Sequence, residues 1–228
     1  MKDMLRTFVA EFVGTFALVF VGGAAIMNTR GFDSAAALVA VALAHGLILA
    51  LLVSAFMRVS AAFNPAVSVA LVATRKIDPT TFLVHLVAQL LGALIAAKSL
   101  QTSFPADAVL ATRVGGQWVS SAITTWQAFS LEAIATAFLV FVVFGTAVDP
   151  KGPKIGGLAI GLTITAGILA IGPLTGGSMN PARSFGPAVI SGIFEGHLLY
   201  WVAPIVGALV AGFTYDLLFL RGDASAAA

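Results

Sequence analysis

The sequence has no cysteine among its 228 residues, and only 10% of its residues are charged. The lack of cysteine excludes disulfide bonds, thiol catalysis and thiolate metal sites. Soluble globular domains carry about 25% charged residues. With 59% hydrophobic residues, this chain has too few charged side chains to cover a surface in water. The composition argues against a disordered chain or an ordinary soluble enzyme and favours lipid as the surrounding solvent.

The sequence also lacks the residue sets that carry catalysis. It contains no carboxylate pair, Ser-His-Asp set, phosphate-binding loop or metal-ligand cluster, and its glycine pairs are not spaced as in dinucleotide-binding loops. The net charge of +2 is too small to indicate a charged partner. We therefore predict that the protein is not an enzyme, needs no cofactor or metal, and does not bind nucleic acid.

Six apolar segments are long enough to cross a bilayer, which takes about 20 residues. They are Thr7–Met27, Ala35–Phe56, Thr80–Ala97, Trp126–Val148, Ile155–Ile171 and Leu198–Leu220. Lys2 and Arg6 precede the first segment as in a signal peptide, but Glu11 lies inside it and no clean cleavage site follows. The pattern predicts an all-α membrane protein with six transmembrane helices in one domain, 1–228.

Two further apolar stretches, Pro65–Ala73 and Pro181–Ile190, are too short to span. Each follows an asparagine and opens with Pro-Ala. Short apolar helices that fail to cross a bilayer are tolerated where they are buried in protein or line a wet cavity. We therefore predict two re-entrant half-helices.

The chain repeats itself at nearly constant separation. The matching pairs are Glu11–Phe20 with Glu132–Phe141, Asn64–Ser68 with Asn180–Ser184, and Val87–Leu94 with Val202–Leu209. Each half, about 7–100 and 126–220, has three crossings, and an odd number inverts the second half relative to the first. An inverted repeat places a site near the membrane midplane between the halves.

Basic residues predict the orientation, because cytoplasmic loops are enriched in lysine and arginine. One side holds Lys2, Arg6, Arg75, Lys76, Lys151, Lys154 and Arg221, and the other holds Arg30, Lys98 and Arg113. We expect both termini in the cytoplasm. The short termini and the lack of a targeting segment suggest the plasma (inner) membrane.

The two Asn-Pro-Ala triplets carry the chemistry. They comprise Asn64, Pro65, Ala66, Asn180, Pro181 and Ala182. Proline suits the first helical position, and asparagine suits the N-cap, where its oxygen accepts a backbone N–H. The two side-chain amides are then free to meet mid-membrane as donors, backed by two positive helix ends. Such a point favours a small neutral molecule with a lone pair and repels a cation.

Four motifs carry a resemblance to a known family. They are Ala10–Thr15, Asn64–Ser68, Ala88–Gly92 and Thr175–Ser184. The chain resembles the major intrinsic proteins, or aquaporins, over nearly its whole length. The resemblance implies six helices, two half-helices, one pore per subunit and a homotetramer in the lipid bilayer. Such pores select by diameter, lining donors and electrostatic barriers.

Arg183 follows the second triplet directly, and a charge inside a membrane segment indicates function by default. The alternative is an interfacial arginine that extends outward. The resemblance places Arg183 in the narrow selectivity filter, where it donates hydrogen bonds to the permeant and repels cations. It also places Ile168 and Gly177 there.

The fourth filter position is His45 or Ala44. The family usually has Ser-Gly-X-His before the first triplet, but Val59–Phe63 lacks the histidine and is one residue shorter. His45 is the filter residue if the deletion lies in this loop, and Ala44 if it lies in the helix. We favour His45; the alternative role for His45 is a bond between helices.

The four filter residue types resemble those of some plant tonoplast intrinsic proteins, which pass ammonia as well as water. We therefore predict a passive channel for water, with ammonia as a second neutral solute. A glycerol-type facilitator is the alternative, against which we weigh the water-type residues Ser184, Ala188, Tyr200 and Trp201. Tyr200 and Trp201 could equally be interfacial anchors.

Glu11 and Glu132 are two intramembrane carboxylates, one per half. A proton relay is one interpretation. Their symmetric placement favours the support of the re-entrant loops that the resemblance implies, and Gln89 is predicted to bond between helices. A secondary transporter and a non-conducting structural protein are the remaining rivals. We predict interfacial positions for His85, His197 and Asp216.

Overall fold

The computed structural model describes residues 2–221, and this range is helical with no strands. Nine α-helices follow one another along it. They are α1 (Lys2–Thr29), α2 (Ala35–Phe56), α3 (Pro65–Ala73), α4 (Pro79–Ser103), α5 (Ala106–Ala111), α6 (Thr125–Val143), α7 (Gly156–Thr175), α8 (Pro181–Ser191) and α9 (Leu199–Tyr215). π-helical turns at Phe144–Val148 and Asp216–Leu220 extend α6 and α9.

Six of these helices are long and apolar enough to cross a membrane, as predicted. The bounds of α2 and α3 agree with the sequence prediction. The fourth helix is longer than predicted, because Lys98–Ser103 continues it past the apolar run. α7 likewise continues to Thr175, with Pro173 inside its last turn. The short α5 was missed, because the sequence around it is rich in turn residues.

Side-chain caps define where most helices begin. Ser34 accepts the amide of Ala37 at the start of α2, and Asp78 accepts the amides of Thr80 and Thr81 at the start of α4. Such caps satisfy backbone donors that have no partner within the helix.

Helix pairs repeat between the halves. α1 packs on α4, α6 packs on α9, and α2 packs on α7 across the two halves. Small residues permit these contacts: a Cβ on Gly92 would lie 2.6 Å from the Phe12 carbonyl oxygen, and one on Gly207 would overlap that of Ala133. Gly14 instead makes room for the ring of Phe63, which precedes the first half-helix.

The outward face is apolar, and polar side chains are collected inside. Large exposed hydrophobic residues include Leu51, Trp126, Phe138, Leu198 and Val210. Glu11 and Glu132 are fully buried. This distribution suits a molecule surrounded by lipid, in which polar groups must find partners within the protein.

Candidate functional site

The half-helices α3 and α8 both begin at an asparagine N-cap followed by proline. The Asn64 side-chain oxygen accepts the amide of Ala66 at 2.9 Å. The Asn180 side-chain oxygen accepts the amides of Ala182 at 3.0 Å and Arg183 at 3.3 Å. The two asparagines therefore hold the positive ends of two helices at one place.

Each asparagine amide also bonds to the opposite half. Asn64 Nδ2 donates to the Met179 carbonyl oxygen at 2.7 Å, and Asn180 Nδ2 donates to that of Phe63 at 2.8 Å. This corrects the expectation that both amides are free: one N–H of each is used, and the second remains. Phe63 and Met179 have φ angles of 49° and 52°, an uncommon backbone region for such residues that the crossed bonds help to hold.

Glu11 fixes the loop before Asn64. Its two oxygens accept the amides of Ala62 at 2.8 Å and Phe63 at 2.7 Å. They also accept the Ser60 hydroxyl at 2.5 Å and the Gln89 amide at 2.7 Å. The Glu11 carboxyl thus acts as the acceptor in four hydrogen bonds.

Glu132 fixes the loop before Asn180 in the same way. It accepts the amides of Ser178 at 2.8 Å and Met179 at 2.7 Å, and the hydroxyl of Thr175 at 2.7 Å. Both carboxylates thus act on backbone N–H groups that would otherwise lack partners.

The matched bonds show where the first loop is shorter. Ser60 and Thr175 each give a hydroxyl to their glutamate, and Ala62 and Ser178 each give an amide. In the first loop one residue lies between Ser60 and Ala62, whereas in the second loop two residues lie between Thr175 and Ser178. Between these matched bonds, the first loop is therefore one residue shorter than the second.

A narrow cavity runs past the two asparagines. Its lining includes His45, Asn64, Ile168, Gly177, Asn180 and Arg183. About 20 Å³ is open to the centres of water molecules, and one water needs about 10–15 Å³ by this measure. The cavity is wide enough for single water molecules.

His45 lines this cavity, whereas Ala44 is absent from its lining and is partly exposed. His45 Nδ1 lies 2.8 Å from the Val41 carbonyl oxygen. Because a carbonyl only accepts, Nδ1 carries the hydrogen and Nε2 keeps a lone pair. The ring bonds within its own helix, and it packs against Gly22, where a Cβ would overlap it.

Arg183 is buried and only partly paired. Its Nη2 donates to the Gly176 carbonyl oxygen at 3.5 Å, while Nε and Nη1 have no partner. Gly177, also in the lining, adjoins Ile168: a Cβ on Gly177 would lie 3.1 Å from two Ile168 carbons. Free donors thus share the narrow section with an apolar side chain.

Two of the interfacial predictions were wrong. His85 is 3% exposed and lies against Ser60 and Ser68. Asp216 is 1% exposed and pairs with Lys76 and Arg221, both at 2.7 Å. Hydropathy near the ends of a segment did not reveal these polar contacts inside the bundle.

The positions of Tyr200 and Trp201 on α9 bear on whether these residues are interfacial anchors. Tyr200 is buried, and its hydroxyl donates to the Thr175 carbonyl oxygen at 2.8 Å, so it is not an interfacial anchor. Trp201 donates to His197 at 3.0 Å. His197 is half-buried, and burial lowers its pKa.

Comparison with known proteins shows which family the chain belongs to. The family model described as major intrinsic protein matches residues 1–215. The chain belongs to the major intrinsic protein family. It is 40% identical to aquaporin TIP4-4 from Zea mays over 95% of this chain and 87% of that protein, and 39% identical to aquaporin NIP3-1 from Arabidopsis thaliana over 95% and 68%.

A solved structure agrees with this assignment. The aquaglyceroporin from Plasmodium falciparum superposes with a TM-score of 0.78 at 29% identity, covering 93% of this chain and 96% of that one. This major intrinsic protein is therefore a multi-pass membrane channel with the aquaporin fold.

Proposed function

We propose that this major intrinsic protein is a passive water channel that also passes ammonia and excludes ions and protons. The observation that carries the proposal is the cavity past Asn64 and Asn180, with about 20 Å³ open to water centres. Such a space accepts one or two water molecules in file. Ammonia is of similar size, whereas glycerol needs more room.

The polar side of the cavity replaces the permeant's bulk hydrogen bonds. Asn64 and Asn180 each keep one N–H beyond the crossed bond, and Arg183 keeps two unpaired nitrogens. Apolar lining residues, including Val53, Ile160 and Ile164, make no hydrogen bonds to the permeant. Binding is then favourable enough for entry and weak enough for release.

Cations and protons are excluded by charge. Two helix N-termini and the Arg183 guanidinium oppose a positive charge in the cavity. A cation would also lose its hydration shell, and the cost of an unpaired charge away from water is large.

In this proposal His45, Ile168, Gly177 and Arg183 form the selectivity filter, and Glu11, Glu132 and Gln89 support the loops. Ammonia is favoured as second solute because Ile168 contributes no hydrogen bond and Gly177 no side chain. A coupled transporter needs an ion site near the midplane. The oxygens of Glu11 and Glu132 instead already accept protein donors.

We further propose a homotetramer in the plasma membrane with both termini cytoplasmic. The exposed apolar groove between α6 and α7, lined by Phe138 and Leu162 among others, is suited to lipid or to another subunit. Cross-linking in native membranes tests the oligomer, and protease access to sealed cells tests the side of the termini.

The function is tested by stopped-flow shrinkage of proteoliposomes in a sucrose gradient. We expect fast shrinkage with a low activation energy. Arg183→Ala should admit glycerol or protons, whereas the matched control Arg113→Ala should not, since Arg113 lies outside the cavity and pairs with Glu195. Shrinkage no faster than in empty liposomes would overturn the water-channel proposal.

The ammonia proposal needs a separate measurement. Alkalinisation of a pH dye inside the same liposomes follows ammonia entry from an ammonium gradient. We expect Ile168→His to lower ammonia entry more than water flow, because it adds a polar side chain and narrows the filter. Equal effects on both solutes would contradict the role of Ile168.

A further inference from the structure

His85 on α4 occupies a polar position beneath the loop that carries Asn64. Its Nε2 lies 2.9 Å from the Ser60 hydroxyl oxygen, and its Nδ1 lies 3.1 Å from that of Ser68. Its Nε2 is also 3.9 Å from a carboxylate oxygen of Glu11. The imidazole therefore bridges the loop before Asn64 and the half-helix after it.

The bonding pattern determines which nitrogen carries the hydrogen. Ser60 gives its hydroxyl hydrogen to Glu11, so its contact with His85 requires a hydrogen on Nε2. Nδ1 of the neutral ring is then an acceptor, and Ser68 must donate to it. Ser68 in turn accepts from Gln89 at 3.0 Å. The neutral imidazole gives each of its two serine contacts one donor and one acceptor.

A second proton on His85 breaks the pattern. Nδ1 becomes a donor, so the Ser68 hydroxyl must turn to accept, and its own hydrogen loses the acceptor it had. The positive ring is also drawn to Glu11, which lies within ion-pair distance. Glu11 holds the amides of Ala62 and Phe63. A change at His85 is thereby passed to the backbone that ends in Asn64.

Protons can reach this network from one side of the molecule. His85 lines a cavity of about 440 Å³ together with Thr7, Ser60, Lys76 and Thr81. The charged groups that act on it are Glu11 from α1 and Asp78 at the start of its own helix. Lys76, on the same cavity, has its charge paired with that of Asp216.

We propose that His85 positions the loop carrying Asn64, and that its protonation from the Lys76 side distorts this loop and lowers permeation. The inference rests on the proposed channel function. Protonation of His85 makes this channel respond to acid on one face only. Asn64 would then lose its alignment with the opposite half, since its amide bond to Met179 depends on the loop.

The first test compares water permeability in proteoliposomes acidified from about pH 7.5 to about pH 5.5, the range in which histidine titrates. We expect a severalfold fall for the native protein when the Lys76 side is acidified. His85→Gln keeps a donor and an acceptor without titrating, and should be active and independent of pH. The control His197→Gln should retain the response, because His197 lies at the other end of the pore.

Each outcome bears on a different claim. Fast flow at about pH 7.5 that is unchanged by acid, or an equal response in His85→Gln, overturns the role of His85 and leaves the water channel intact. Failure of the native protein to conduct at any pH overturns the proposed function instead.

A second measurement does not depend on conduction. Amide hydrogen exchange at Ala62 and Phe63 is followed in nanodiscs, with native protein and His85→Gln compared at each pH. We expect the native amides to exchange faster than those of the variant at about pH 5.5 and equally at about pH 7.5. Equal exchange at both values would overturn the inference.

Discussion

The two loops that carry the Asn-Pro-Ala triplets share a set of bonds, and they differ in length and in the helix residue that packs beneath them. In each, a buried glutamate accepts two backbone amides and one hydroxyl. The repeat aligns His85 with Tyr200. His85 bonds to the Ser60 hydroxyl, whereas Tyr200 donates to the Thr175 carbonyl oxygen. The shared bonds place the two asparagines, and the unmatched residue puts a protonatable imidazole beneath the first loop only.

The proposed filter residues show a second asymmetry. Arg183 and Gly177 come from the loop of the second half, while the corresponding part of the first loop is one residue shorter. The inverted repeat thus provides a common support for both triplets, and the differences between the halves specify the residues at each end of the pathway.

The largest expected effect tests the shared support. Glu11→Ala leaves four donors without their acceptor, and Glu132→Ala leaves three. Each buried unpaired group costs about 1–3 kcal/mol. We expect both variants to have a much lower Tm than the native protein in thermal denaturation. The control Glu195→Ala removes an exposed carboxylate and should melt like the native protein. A native-like Tm in either variant would contradict the conclusion that the two loops depend equally on their buried glutamates.

A smaller effect is expected at two neighbouring glycines of α1, one of which packs against the proposed filter residue His45. Gly22→Ala places a methyl group against the ring of His45, and Gly23→Ala places one against Leu100. Overpacking of this kind costs about 1–3 kcal/mol, so both variants should be less stable. Only Gly22→Ala should also lower water flow, because His45 lines the cavity. Equal flow in the two variants would contradict a filter position for His45.

Double-mutant cycles sharpen the comparison between His85 and Tyr200. Ser60→Ala with His85→Ala removes two groups that bond side chain to side chain, so we expect a coupling of about 0.5–1.5 kcal/mol in the free energy of unfolding. Thr175→Val with Tyr200→Phe should show almost none, since Tyr200 bonds to the Thr175 backbone. Comparable coupling in both cycles would mean that the two positions act alike.

The smallest effect concerns the first turns of α4 and α9, which occupy matching places in the repeat. α4 has the Asp78 cap, whereas Leu198 at the N-cap of α9 makes no side-chain hydrogen bond. Hydrogen bonds from Thr81 hold the pKa of Asp78 below its ordinary value. A carboxyl of this kind stabilises the fold above its unfolded pKa of about 3.9, and the gain is lost as pH falls through the folded pKa.

Asp78→Ala should therefore lower the Tm slightly at neutral pH, and the difference from the native protein should shrink in acid. Thermal unfolding in detergent measures it. A difference that grows as pH falls would contradict the direction of the pKa shift.

Much of the fold was accessible from the sequence because its signals are local. Ser34 and Asn64 mark the starts of α2 and α3, and the predicted bounds of both helices agree with the structure. The end of α7 was placed too early, since the helix continues past Pro173 to the left-handed Gly176. Periodicity carries no information on such a terminal turn.

The site was only partly accessible for a different reason. The meeting of Asn64 and Asn180 follows from the inverted repeat, but their crossed bonds to Met179 and Phe63 depend on backbone orientation in both loops. The burial of His85 was missed because its position near a segment end favoured an interfacial location. Aligning His85 with Tyr200 was the available signal.

The crossed bonds also have a consequence for synthesis. The first half leaves the ribosome with an Asn64 amide and a Phe63 carbonyl whose partners, Met179 and Asn180, have not yet been made. In lipid these groups have no water to replace the missing partners. Until the second half has been made, Asn64 and Phe63 therefore lack these two partners, and the crossed bonds can form only after α8 is in place.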